Sequence, residues 1–380
     1  MHAVCRKYQE LPWEKVETGG MEKNLQHLVD VSCKANPKPP PKDALMVAYG
    51  DRAAPKLVRE ISGDNLVLRQ KAIKEVLKLV EAPKELASLL TAGLVPALHA
   101  AAADTDVTAR ATATLALAQC AKQFGGREKM LEQRTIEVLS KLVCDSEESV
   151  RQHGLLAILE LAKSPMGTKG VIEARGVPLL ISRVAEEVPH LQGLALMALQ
   201  QSMSHITGLQ QAIEGAALEK IAEVLESEDV CAREKAALCL AAYTVNLAEK
   251  SAAAMHGVLG PVLRLLQDET LAVRTAAAAA LMSITVHNDC KTAAVQLSAV
   301  KELAPLLDES VLLELQGGAS PLGTTLTINV LQCMAQLAEQ PKGRKQLQGS
   351  LEQLKSLSES SNAMIATHAK NAVKLIEWKP

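Results

Sequence analysis

Eight cysteines and nine histidines are the side chains best suited to nucleophilic or metal chemistry in this chain of 380 residues. The cysteines stand at 5, 33, 120, 144, 231, 239, 290 and 333, and no two have the CxxC spacing of a zinc or redox site. The histidines do not pair with Asp, Glu or Cys at ligand spacing, and no HExxH helix is present. A GxxxxGK[ST] phosphate loop and a GxSxG nucleophile turn are missing too. Gly125-Gly-Arg-Glu-Lys129 has the small residues and charge to meet an anion, but it falls at a break between helices that recurs along the chain, which favours a structural role. The repeated charge constellation is an acid six residues before an arginine: Asp104/Arg110, Asp145/Arg151 and Asp268/Arg274. These pairs are expected to tie neighbouring units together and to bind nothing. The chemistry expected is therefore none: no enzyme activity, no cofactor, no metal and no small-molecule substrate.

The composition describes what must position these residues. Apolar residues make up 48% and charged residues 22%, enough for a buried core and a solvated surface. Aromatic residues are only 2%, which argues against aromatic-rich β architectures. Ala and Leu fill the core of closely packed helices instead. A net charge of −2 gives no basic field for nucleic acid or anionic lipid. The apolar run at Ala276 to Leu281 is too short to span a bilayer, and Met1 to Lys15 lacks the apolar core of a secretory signal. Most cysteines lie inside helical patterns as small hydrophobes, which fits a reducing, intracellular compartment.

Laid on itself, the chain repeats every 41 residues. With Arg69 as position zero, the equivalents are Arg110, Arg151, Gln192, Arg233 and Arg274; after a gap of 53 come Thr327 and His368. Position +3 is small: Ala72, Ala113, Gly154, Ala195, Ala236 and Ala277. Position +7 is large: Val76, Leu117, Ile158, Leu199, Leu240, Leu281, Met334 and Leu375. Position +10 runs Leu79, Cys120, Leu161, Ser202, Tyr243, Ile284, Leu337 and Trp378. These spacings put one stripe on an α-helix, with small residues admitting a neighbouring helix and large ones filling the gap. Pro83, Pro165 and Pro341 at +14, and Gly126, Gly167, Gly208 and Gly343 at +16, are expected to break that helix. A second helix opens at Ala92 to Leu98 and Arg175 to Leu180, with proline tolerated in the first turn. A short third helix is expected before position zero. The extra 12 residues of the long gap are expected as a surface loop near 312–325.

The segment from Val138 to Ala162 resembles the core of an armadillo repeat, and the acid-to-arginine spacing resembles HEAT-type repeats. The fold implied is an all-α, right-handed, armadillo/HEAT-like solenoid of about eight repeats over 43–380, preceded by a 1–42 extension with a Pro-rich spacer at Asn36 to Lys42. Armadillo proteins that grip extended peptides, such as nuclear-import adaptors, often carry Trp at +5 and Asn at +9. Here +9 reads Lys78, Gln119, Glu160, Gln201, Ala242, Ser283, Gln336 and Glu377, with no Asn, and +5 has no Trp. Position +5 reads Lys74, Leu115, Leu156, Met197, Leu238, Ala279, Gln332 and Val373. Leu115, Leu156, Met197 and Leu238 form an apolar column on four consecutive repeats. It either accepts a partner's helix or is covered by neighbouring helices. Tyr8 and Trp13, on the extension, either dock back or anchor a partner.

Ala48-Tyr-Gly-Asp-Arg-Ala-Ala-Pro-Lys-Leu57 and Leu375-Ile-Glu-Trp-Lys-Pro380 are similar to the armadillo-repeat radial spoke proteins of motile cilia and flagella. That resemblance implies a non-catalytic scaffold of the axonemal radial spoke, in its stalk and neck, bound to other radial spoke proteins. Algal spokes contain two armadillo subunits, and the end motifs do not choose between them. The competing readings are a soluble adaptor that recruits varied partners and a regulatory subunit of an enzyme.

Overall fold

The computed structural model describes residues 41–46, 48–245, 252–315 and 320–378. Tyr8 and Trp13 lie outside the described residues, as does most of the Pro-rich spacer. The chain separates into Met1–Met46 and Val47–Pro380. Every regular element described is helical, with no strand among the described residues.

The first repeat is a single 3-10 turn at Gly50–Arg52, then α1 (Ala53–Ile61) and α2 (Leu66–Leu79). Four three-helix units follow. They are α3 (Pro83–Thr91), α4 (Leu94–Ala102) and α5 (Val107–Lys122); α6 (Phe124–Glu132), α7 (Thr135–Leu142) and α8 (Glu148–Ala162). Next come α9 (Pro165–Glu173), α10 (Gly176–Glu186) and α11 (Pro189–Ser202); α12 (Ile206–Glu214), α13 (Ala217–Val224) and α14 (Val230–Val245). The sixth repeat shows α15 (Ala252–Leu265) and α16 (Leu271–Ile284). The seventh is α17 (Asn288–Gln296), α18 (Ala299–Leu315) and α19 (Pro321–Ala338). The eighth is α20 (Pro341–Leu347), α21 (Leu351–Leu357) and α22 (Ala363–Glu377). The long helices α2, α5, α8, α11, α14, α16, α19 and α22 pack side by side in chain order.

Local chemistry starts these helices where the sequence changes character. Asn65 accepts from the Val67 and Leu68 N–H groups at 3.0 and 3.2 Å and opens α2. Asp106 accepts from Ala109 at 2.7 Å and opens α5, and Asn362 does the same for α22. The third helix of each unit is real, but it follows the break directly rather than preceding position zero. The prolines at +14 are the first residues of α3, α9 and α20, where a missing N–H costs nothing. The glycines at +16 are not breakers either, because each lies within the first turn of the next helix. A Cβ at Gly126, Gly167, Gly208 or Gly343 would stand 2.0, 1.9, 2.1 or 2.1 Å from a backbone oxygen, that of the +10 residue just before it. Glycine is required there by close approach.

The expected loop near 312–325 is also corrected at both ends. Residues up to Leu315 extend α18 to 17 residues, and Pro321 onward belongs to α19, which reaches 18. The other long helices run 14 to 16. Most of the extra length is thus taken up as helix, where each residue gains a backbone hydrogen bond. Residues 316–319 lie outside the described part.

The +3 column and the +7 column from Val76 to Met334 are buried, with Leu375 half-buried on the last long helix. At +10, Trp378 is 54% exposed and lies over the Arg344 guanidinium, 5.0 Å from the ring centre.

Position zero builds a ladder whose partners differ from the spacing seen in the sequence. Each arginine meets the acid of the following repeat, not its own. Arg69 donates to Asp104 at 2.9 Å, Arg110 to Asp145 at 3.1 Å, Arg151 to Glu187 at 2.8 Å and Arg233 to Asp268 at 2.9 Å. The other edge of each guanidinium holds its own repeat: Arg110 donates to the Asp104 and Thr105 carbonyls at 3.0 and 3.1 Å, and Arg151 to those of Asp145 and Ser146, both at 3.1 Å. One side chain thus stitches two repeats through five donors in a fixed plane, which a lysine could not do. Burial alone would raise the Asp145 carboxyl, but bonds from the Glu147 N–H and from Arg110 hold it below the ordinary value. The rung is missing where Gln192 replaces arginine; Gln192 instead donates to the Val184 carbonyl at 2.9 Å. The matching position one repeat on is Ser227, so both halves of that rung change together.

Candidate functional site

The long helices bury three sides and leave the fourth open. On α8 the residues short of full burial include Ser149, Gln152, His153, Leu156 and Lys163, spaced by one helical face. The same positions are open on the neighbouring long helices, so the repeats share one continuous face. Leu115, Leu156, Met197 and Leu238 lie on it, and all four are half-buried. Two positions further along each helix, Leu117, Ile158, Leu199 and Leu240 are buried. Neighbouring helices therefore flank the +5 column without closing over it.

The charges on this central stretch are neutralised locally. Lys163 donates to Glu160 at 2.6 Å, Lys235 to Glu234 at 2.7 Å, and His190 meets Glu148 at 2.9 Å. The His153 Nδ1 lies 2.9 Å from the Ala111 carbonyl of the preceding long helix, which assigns the proton to Nδ1 in the neutral ring. Burial lowers the His153 pKa, partly opposed by that bond, and burial also lowers His99, whose Nε2 lies 2.9 Å from Thr135 Oγ1.

Beyond α14 the same face changes chemistry. A cavity of about 500 Å³ opens there, lined by Thr244, Met282, Ser283, Gln332, Gln336 and His368 among others. Thr244 donates to Ser283 at 2.8 Å, Ser283 to the Ala241 carbonyl at 3.1 Å and Thr285 to Gln336 Oε1 at 2.5 Å. The sequence shows polar residues at +5 and +9 in these repeats, but the cavity itself depends on how far α16 and α19 stand apart.

Reactive groups are not gathered on this face. Among the described residues no three of His, Cys, Asp and Glu come together as metal ligands. Burial pushes the Cys120 thiol up to about 12 and also raises Cys239 and Cys333, so these stay protonated hydrophobes. Arg127, in the glycine-rich segment that could suggest anion binding, donates to the Ala121 and Lys122 carbonyls at 3.1 and 2.9 Å and so caps the end of α5. Among the described residues no single helix is long and apolar enough to cross a membrane.

Comparison with solved structures fixes the architecture. An engineered protein from the Northeast Structural Genomics Consortium superposes with a TM-score of 0.74 at 21% identity, over 87% of this chain and 79% of that one. A designed armadillo repeat protein in complex with the peptide (KR)4 gives 0.54 at 20%, over 61% and 99%. A chain solved in work on the phosphorylation switch between cadherin and β-catenin gives 0.68 at 15%, over 86% and 70%. The fold is an armadillo solenoid. In sequence, the chain resembles radial spoke protein 14 of Chlamydomonas reinhardtii, at 36% identity over 111 residues. That stretch is 28% of this chain and 28% of the algal protein, so the chain matches under a third of its relative's length. No protein-family model matches the chain. The sequence likeness and the solenoid together support a scaffold that holds other proteins.

Proposed function

We propose that this chain is a non-catalytic structural subunit of the axonemal radial spoke, held in the stalk or neck by contacts with other spoke proteins. The observation that carries it is the 36% identity over 111 residues to radial spoke protein 14. Two features support it. The fold is a repeat array, whose long continuous surface suits assembly. The described histidines and cysteines are spent on packing, not on a reactive centre. On this reading the protein resides in the axoneme of a cilium or flagellum, as part of the cytoskeleton, and its partners are proteins.

Fractionation of motile cilia tests the reading. The protein should remain with axonemes after detergent removes the membrane, and leave only with high salt or chaotrope. Complete recovery in the detergent-soluble fraction would overturn the spoke assignment and favour a soluble adaptor.

A further inference from the structure

The open face is graded along its length, and the gradient describes its occupant. In the first repeat the +5 position is Lys74, exposed where the next four repeats carry Leu115, Leu156, Met197 and Leu238. Lys71 and Lys78 stand one turn to either side of it on α2, also exposed. Lys78 bonds Glu75 at 2.8 Å, while among the described residues Lys74 meets no carboxylate. The neighbouring face of α5 adds Thr112, Gln119 and Lys122, and no acid. A basic step thus leads onto a four-repeat apolar rail whose own charges are already paired.

Spacing decides the backbone that fits. Side-by-side helices lie roughly 8–10 Å apart. A partner α-helix laid along the rail advances about 10.5 Å in seven residues, so every seventh side chain meets a new repeat. An extended strand covers that distance in about three residues, and an odd count turns alternate side chains to opposite faces. A helix can therefore address all five positions with one face, and a strand cannot.

We propose that the open face of repeats one to five holds an amphipathic partner helix with an acidic residue at one end and apolar residues at seven-residue intervals after it. The carboxylate sits on Lys74 and Lys78. The apolar residues sit on Leu115, Leu156, Met197 and Leu238. The partner helix needs about 29 residues to span the five rungs. This rests on the scaffold half of the function proposed above, and not on the radial spoke assignment: loss of the protein from axonemes would remove the latter and leave the former standing.

Two synthetic helical peptides of about 30 residues test it. Both carry Leu at four successive seventh positions; one begins that series with Glu and the other with Lys. Binding to the full chain is read by fluorescence anisotropy. The Glu peptide should bind about tenfold more tightly than the Lys peptide, with the difference shrinking as salt is added. Lys74→Glu with Lys78→Glu should reverse that preference. Leu156→Asp with Leu238→Asp should abolish binding of both peptides while the helical circular dichroism is kept. If the Asp pair unfolds, Leu115→Gln with Met197→Gln is read in its place. The proposal fails if the Glu peptide binds no better than a scrambled sequence. It also fails if charge reversal leaves the preference unchanged, or if a folded rail variant binds like the parent.

Discussion

The start and the middle of each long helix follow the same 41-residue period and reach opposite outcomes. At position zero the repeating residue is an arginine, and the next repeat supplies an acid at the same height. The Glu187 side chain that receives Arg151 is only 1% exposed. At +5 the repeating residue is a Leu or Met, and the next repeat supplies another of the same kind beside it, not above it. The first column is satisfied within the chain. The second is left half-buried, with apolar surface facing outward. Periodicity alone does not make a residue structural or available for binding. What separates the two is whether the neighbouring repeat has a complementary group within reach.

The largest effect should come from breaking the satisfied column. Arg151→Ala removes the partner of a buried carboxylate and should cost about 3–5 kcal/mol in urea unfolding. A loss below about 1 kcal/mol would mean that the ladder is no more than a surface pair. Next, Leu240→Ala should cost about 2–5 kcal/mol through the cavity it leaves. Leu238→Ala, two residues away on the open face, should cost about 1 kcal/mol. Equal losses at the two sites would close the distinction between core and rail.

Smaller effects sharpen the contrast between tight and open packing. Gly167→Ala should destabilise by about 1–3 kcal/mol, because its Cβ has no room beside the Leu161 carbonyl. Gly125→Ala meets only Leu90 Cδ1 at 3.8 Å, and should be neutral or stabilising by helix propensity. The pair can be compared by thermal melting. The smallest effect is pH dependence. Burial lowers the pKa of His99 and His153 from 6.5, so the unfolded chain binds protons more readily than the folded one. Stability should be full above 6.5 and fall as pH drops through that value, with His153→Gln flattening the fall. The lowered Asp145 carboxyl adds a further loss below its ordinary 3.8. A melting temperature that rises on acidification from neutral would contradict both.

Much of the fold was legible because one register explains several columns at once. Ala113, Leu117 and Cys120 fall on one stripe whatever else the chain does, and all three are buried. The glycines at +16 were misjudged as helix breakers. Their true role depends on an oxygen contributed by the preceding helix, which no spacing within one helix reveals. The loop expected near 312–325 failed for a related reason: Gly and Pro were read as punctuation, while neighbouring helices could extend into the insertion. Among the site residues, the column from Leu115 to Leu238 was visible as a pattern, but whether it is covered was not. Lys74 was visible too, and its meaning came only with its place at the head of the rail.

The sequence by itself determined the period, the helical faces, the small +3 and large +7 columns and the absence of familiar catalytic motifs. These follow from the 3.6-residue turn, which fixes where each side chain points within its own helix. Only the tertiary structure decided that Arg110 reaches Asp145 and not Asp104, that Gly167 is wedged against Leu161, and that Leu156 stays open. Each depends on the rise and rotation from one repeat to the next. That relation is set by packing between helices, and it decides which side chains the solenoid uses for itself and which it leaves exposed.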